Sequence, residues 1–300
     1  MAEDVIQKSY SAQASGYGSY AKGGPRANRA KSWFENDTVD AWRHARMYAM
    51  ADPLLKSFPG SSWVTVGDGR CGRDSRYLAE RGVDALATDI SECLLSEARQ
   101  AGALPDYRVE NAEALSFDDG SFDFVFCKES YHHFPRPIVA LYEMIRVSRK
   151  GVILIEPNDY LVPASPLMAI AYGIKSIVKE MLRRPMVKHQ FETGGNYLYS
   201  LSRREMEKVS LGLGQEVVAF QGLNDCYVDG VEFEKATVES DIFRRVRRRI
   251  RLSDTLCRLG LKAPDLLAVI LFKEKPSENV LKALTDAGYG IVSLPKNPYL

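Results

Sequence analysis

Two histidines stand side by side at His132 and His133, just past an apolar run, FDFVFC (122–127), that reads as a strand. Imidazole titrates near ~6.5, so either ring could take a proton from an acceptor at neutral pH. The competing reading is a packed loop element. Glu129, Tyr131 and the turn Glu156, Asn158 and Asp159 border the same edge as alternatives. Two histidines without a third ligand argue against a metal site. Upstream, VTVGDGRCGRD (64–74) sets Gly67, Gly69 and Gly72 in a G-x-G-x-x-G string between a strand and a helix. Glycines there permit a tight turn, let the backbone approach a ligand and aim helix amides at it. Asp89 closes the next strand, twenty residues after Gly69. That spacing suits a carboxylate accepting both hydroxyls of a ribose, so the loop points to a nucleoside-containing cofactor.

The elements that must hold these groups follow a clear rhythm. Strands are expected at 63–67, 85–89, 107–111, 122–127 and 152–156, with helices at 73–81, 91–102 and 137–147 between them. Strand–helix alternation at this pitch means a doubly wound, mostly parallel α/β sheet with right-handed crossovers. Ligands then bind at its carboxyl edge, where both histidines fall. After residue 156 the rhythm breaks. Helices are expected at 165–184, 202–212, 232–251 and 278–287, with strands at 216–220 and 266–273. The excess of helix reads as a cap on the core, inserted roughly at 157–200 and 225–262, within a domain covering 36–300. Residues 1–35 are rich in Gly, Ser, Ala and Tyr, so they read as a flexible arm or lid that orders on ligand.

Residues 111–117 (NAEALSF) and 118–134 (DDGSFDFVFCKESYHHF) resolve which cofactor is meant. Together with the glycine loop they resemble class I S-adenosylmethionine-dependent methyltransferases of the type 11 kind, over roughly residues 60–157. The resemblance implies a Rossmann-like fold, S-adenosylmethionine as cofactor and methyl transfer as the reaction. It further implies that Asn111 and the Ala112 amide meet the adenine, Asp89 the ribose, Gly67 and Gly69 the methionine, and that Lys128 lies at the strand-four end of the pocket. Two positions depart from the family pattern: Thr65 stands where an acid usually holds the cofactor's ammonium, and Cys71 where a third glycine falls. An unpaired cation in a closed pocket is costly, so Asp68 or Glu129 is expected to replace that acid. The glycine string also fits an NAD-dependent oxidoreductase, against which stand NAEALSF and the lack of a second dinucleotide-binding half. The altered loop leaves room for a third reading, a non-catalytic methyltransferase-like binding module.

In similar enzymes a segment ahead of the sheet covers the cofactor. The arm with Tyr10, Tyr17 and Tyr20, and the helix carrying Trp42, Arg43, His44 and Arg46, fit that place, with an Arg free to fork the methionine carboxylate. Tyr197, Tyr199 and Asn196 on the 191–205 loop, with Tyr131, Glu156 and Asn158, are the candidate acceptor contacts. Aromatic and amide groups, a basic cap and a loose similarity to methyltransferases of surface-glycan pathways point to O-methylation of a glycan or phosphoglycan precursor.

Three hundred residues with a formal net charge of +1 exclude a wholesale polycation for nucleic acid. Two basic amphipathic stretches remain, 167–184 and IFRRVRRRIR (242–251), able to touch an anionic membrane surface, a phosphate-bearing substrate or RNA. A cap helix with a solvated face is the plainer account of each. Five scattered cysteines form neither a disulfide framework nor a zinc site and suit a reducing cytosol, and MAEDVIQKSY lacks a signal pattern. A cytoplasmic enzyme acting on a small molecule is the expectation.

Overall fold

The computed structural model describes residues 2–299 apart from 25, 164, 185, 188, 193 and 194, so small parts of the expected arm, cap and 191–205 loop lie outside it. Eight strands form one sheet: β1 (Ser62–Val66), β2 (Asp84–Asp89), β3 (Tyr107–Val109), β4 (Phe122–Lys128), β5 (Ser148–Pro157), β6 (Val217–Leu223), β7 (Leu266–Phe272) and β8 (Gly290–Ser293). Their order is β3-β2-β1-β4-β5-β7-β6-β8. The first five run parallel, β7 runs against both β5 and β6, and β8 closes the edge antiparallel to β6. Eleven α-helices accompany them among the described residues: α1 (Ala2–Gly18), α2 (Ala27–Ser32), α3 (Val39–Tyr48), α4 (Asp52–Ser57), α5 (Arg73–Ala79), α6 (Cys93–Gln100), α7 (Pro137–Val147), α8 (Pro166–Met181), α9 (Arg203–Gly212), α10 (Asp241–Arg258) and α11 (Glu278–Asp286).

Central strands covered on both faces read as unbroken apolar runs, and their alternate residues feed two cores. Trp63, Phe124, Phe126, Ile153 and Ile155 pack with Met47, Leu54, Leu78 and Leu284 on one side. Val64, Val125, Cys127, Val152 and Leu154 pack with Leu141, Met144 and Met206 on the other. Because β6 and β5 are both antiparallel to β7, they point the same way. The two cap segments, which leave the ends of β5 and β6, therefore both sit over the carboxyl edge.

Several boundaries move. The arm is not irregular: α1 and α2 occupy most of it, with Tyr17, Tyr20 and Trp33 packed into a small core against α6. The cap helix expected at 232–251 runs 241–258, because Ser240 accepts from the Phe243 amide and caps it nine residues later than its apolar spacing suggested. Phe243, Val246 and Ile250 face inward with Val39 and Val231, which leaves most of the arginines of that helix on the surface. Two short elements had no sequence signal, α4 and β8, the latter a four-residue edge strand.

Candidate active site

The turn after β1 holds the site by backbone geometry. Gly67 has φ of +80°, and a Cβ there would lie 2.4 Å from Ser130 Cβ. A Cβ on Gly69 would lie 2.7 Å from both Asp89 Oδ2 and the Tyr17 ring. Both positions must therefore be glycine for Ser130, Asp89 and Tyr17 to pack this closely on the turn. Gly72, in the left-handed region, opens α5 and packs on Leu104. Cys71 is also left-handed, at φ +59°, which is how the loop manages without a third glycine at that place.

Asp89 is buried at the end of β2 and accepts from the Ser91 amide at 2.8 Å. Burial pushes its carboxyl up to about 6, against amides of Ser91, Gly69 and Ile90 that hold it down. It lines a cavity of about 50 Å³ together with Val66, Gly67, Asn111, Ala112, His133 and Phe134. Asn111 accepts from the Glu113 amide at 2.9 Å, which shapes the turn after β3. The cavity is small for a ligand of nucleoside size, since such pockets run to about 300 Å³ or more. Tyr10, Gln13 and Tyr17 of α1 close it from above. Tyr17, with Gln13, also lines the neighbouring cavity of about 490 Å³, so the two side chains form the partition between them. With Tyr17 withdrawn, Asp89, Gly67, Gly69, Asn111 and Ala112 make a cradle whose chemistry fits an adenosyl group.

The larger cavity is polar and aromatic, lined by Tyr20, Trp33, Arg26, Arg29, Asp40, Arg43, His44, Arg70 and Glu129. Most of its charges are already matched. Arg43 pairs with Asp225 and Asp40, and Arg29 with Glu232. Asp40 also takes Arg73 at 3.3 Å and His44 at 3.5 Å; its own burial opposes ionisation, but His44, Arg70 and Arg73 hold its carboxyl far below the usual range. Arg70 differs. Its hydrogen bond goes to His44 Nε2 at 3.1 Å, and among the described residues it has no carboxylate within 4 Å. Glu129, at φ +51°, faces the same space, and although burial opposes its charge, Lys128, His44, Arg70 and Arg43 hold its carboxyl at about 2. A zwitterionic amino-acid moiety would find its carboxylate partner in Arg70 and its ammonium partner in Glu129.

The histidines part company. His132 Nδ1 lies 2.6 Å from Glu156 Oε2. Glu156 is fully buried, and its other oxygen accepts from the Ser130 amide at 2.8 Å and the Tyr131 amide at 3.0 Å. Burial opposes charge on His132, yet Glu156, Glu129 and Glu192 outweigh it and raise its pKa. His132 lines a third cavity of about 250 Å³ with Asn158, Tyr160, Leu161, Tyr197 and Tyr199. His133 pairs with Glu192 and borders the Asp89 cavity instead.

Four sequence expectations need correction. Asp68 lines none of these cavities: it caps α5 through the Asp74 and Ser75 amides at 3.0 and 2.9 Å. Lys128 is buried beneath the site, 3.5 Å from Asp74 and 3.3 Å from His44 Nδ1, because its ammonium needs those acceptors once desolvated. Tyr131 is packed in the core, 6.4 Å from the Phe134 ring, and lines none of these cavities. Glu156 sits behind His132 rather than against an acceptor. The arginines of α3 are engaged, Arg43 with its carboxylates and Arg46 with the Asn224 carbonyl at 2.9 Å. Arg70 was missed, although its place between Gly69 and Gly72 was signal enough.

A doubly wound sheet with a glycine turn after β1, an acid closing β2 and ligand space along the carboxyl edge defines a class I methyltransferase fold. Residues 64–155 match the family described as methyltransferase domain. That stretch is a class I S-adenosylmethionine-dependent methyltransferase domain, with S-adenosylmethionine as its cofactor. The chain is similar to the ubiquinone biosynthesis O-methyltransferase of Methylococcus capsulatus, 34% identical over 45% of this chain and 58% of that protein. It is also similar to the malonyl-[acyl-carrier protein] O-methyltransferase of Salmonella typhimurium, 34% identical over 35% and 42% of the two chains. A solved methyltransferase from Archaeoglobus fulgidus aligns over 76% of this chain and 94% of its own, with TM-score 0.46 and 16% identity. The chain spans about half the length of the curated relatives it matches.

Proposed function

We propose that this protein methylates a phenolic or enolic oxygen of a small aromatic acceptor, using His132 as general base. The observation that carries the reading is the His132–Glu156 pair opening onto a cavity walled by Tyr160, Tyr197 and Tyr199. A buried carboxylate on Nδ1 holds the imidazole so that Nε2 presents a lone pair, the arrangement that makes a histidine an oriented base. Stacking tyrosines suit a planar ring more than an aliphatic sugar. The bound cofactor supplies the methyl group as a sulfonium electrophile. What the chain adds is position: Asp89 and the glycine turn for the adenosyl end, Arg70 and Glu129 for the amino-acid end, and Asn158 and Tyr197 beside the acceptor.

The relatives' names support this class in two parts: a ubiquinone-pathway O-methyltransferase supports the oxygen, and a demethylmenaquinone methyltransferase from Beutenbergia cavernae supports only a quinone-type ring. The glycan or phosphoglycan acceptor drawn from the sequence has no counterpart among those names, and we assign the aromatic oxygen in its place. The test pairs two measurements on the full chain: calorimetric titration with S-adenosylhomocysteine, and turnover of a catechol and a hydroquinone followed by its release. Binding without turnover in the wild type, on phenols and on simple carbohydrates alike, would favour the binding-module reading. Turnover that drops about a hundredfold in His132→Asn while binding persists supports the base.

A further inference from the structure

Helix α8 is mounted back to front. An amphipathic helix on a globular surface turns its apolar stripe inward. Here the residues that reach the body are Met168, which is buried, and Tyr172, whose hydroxyl accepts from the Ala263 amide at 3.3 Å. Ile170, Ile174, Ile177 and Met181 recur at the same helical spacing two residues on, a rotation of about 200°. That stripe faces away from the protein, with Ile170 61%, Ile177 61% and Met181 79% exposed. Val178 and Leu182 widen it, and Tyr160, Leu161 and Val162 ahead of the helix are exposed too. Leaving such a contiguous apolar surface in water is unfavourable, and surfaces of this kind mark docking sites.

The charges beside the stripe are one-sided. Lys175, Lys179, Arg183 and Arg184 lie on or just past the helix against a single acid, Glu180. Among the described residues none of the four cations has a carboxylate within 4 Å. No helix among them is long and apolar enough to cross a membrane. Sixteen residues span about 24 Å, enough to lie along an interface with the apolar face sunk among acyl chains and the cations at headgroup level. Packing this face against a second copy would instead bring the same cations together with one acid per copy to offset them.

We propose that α8 docks the protein onto an anionic lipid bilayer, lying in the plane of the interface. The chain leaves and returns to the helix at the rim of the cavity that holds His132, where Tyr160, Leu161, Val187 and Gln190 stand. Docking therefore sets that cavity beside the bilayer. The surface does not depend on the methyl-transfer reading, and its readout is separate from turnover.

Sedimentation of the full chain with phosphatidylcholine vesicles, with and without a third of phosphatidylglycerol, tests the assignment. The wild type binds the anionic vesicles, and rising salt weakens the binding. Ile174→Glu/Ile177→Glu abolishes it with the melting temperature unchanged, since both positions are exposed. Arg183→Ala/Arg184→Ala weakens binding to anionic vesicles roughly thirtyfold, from about 1 kcal/mol per cation near such a surface. No binding to anionic vesicles overturns the proposal, as does equal binding by the double glutamate variant. A stable dimer that the same variant dissociates overturns it in favour of a second copy.

Discussion

Replacing Glu156 by Gln changes one atom in a site that uses every one of them. Glu156 Oε1 accepts two backbone amides, from Ser130 and Tyr131, and Oε2 faces His132 Nδ1. The amide donors are fixed, so the carbonyl oxygen of Gln must take the place of Oε1. Its NH2 group then points at Nδ1 and turns that nitrogen into an acceptor. The imidazole proton moves to Nε2, which loses the lone pair a base needs. The side chain is fully buried and Gln is nearly the same size, so folding should survive. Loss of a positioned base costs about 10²–10⁴ in rate, and the expected fall in kcat lies there with KM nearly unchanged. The pH profile gives a second readout. In the wild type, burial lowers the His132 pKa, but Glu156, with Glu129 and Glu192, outweighs it and the net shift is upward from 6.5. Activity that needs the neutral ring therefore rises through a limb above 6.5. Glu156→Gln removes the largest raising influence and leaves burial opposed only by Glu129 and Glu192, which moves the limb downward while the plateau drops. S-adenosylhomocysteine release from pH 5 to 9 measures both. A kcat within tenfold of wild type with an unmoved limb would refute the dyad.

Three further outcomes are expected. Asp89 is raised from 3.8 to about 6, so its folded-state cost grows as pH rises between those values and is full above them. Asp89→Asn should therefore stabilise the free protein at pH 7.5, by at most about 3 kcal/mol, while cofactor affinity falls tenfold or more; thermal melts and calorimetry check the two signs, and lost stability would contradict the assignment. Tyr17→Ala joins the two cavities that Tyr17 helps divide, so cofactor association should quicken in stopped flow; an unchanged rate means the ring is no barrier. Asp40→Ala strands the buried Arg73 and leaves the buried Arg43 with Asp225 alone, and should cost about 3–5 kcal/mol in urea unfolding. The Asp40 carboxyl is lowered, so its contribution is present above 3.8 and is lost as pH falls, which makes the variant's deficit shrink in acid.

The cofactor half of the site was legible because its signals are local. A tight turn forces glycine at 67, close packing forces it at 69, a strand end places Asp89, and continuous apolar runs mark strands covered on both faces, all within about thirty residues. Where the sequence misled, two groups were competing for one partner. The reading offered Asp68 or Glu129 for an ammonium; the α5 amides claim Asp68, and Glu129, beside Lys128 and His44, is the one that faces the cavity. It offered Lys128 to the pocket, yet burial ties that ammonium to Asp74 and His44.

The chain order by itself determined the five parallel strands, the turn and the carboxylate that closes β2, since periodicity and spacing act over neighbouring residues. Tertiary structure alone decided that His132 rather than His133 is backed by Glu156, that Tyr17 reaches across from the first helix to Asp89, and that α8 shows its apolar stripe to the outside. Those outcomes depend on which atoms from distant segments the fold brings to each donor, acceptor and void, and no residue carries that information in its neighbours.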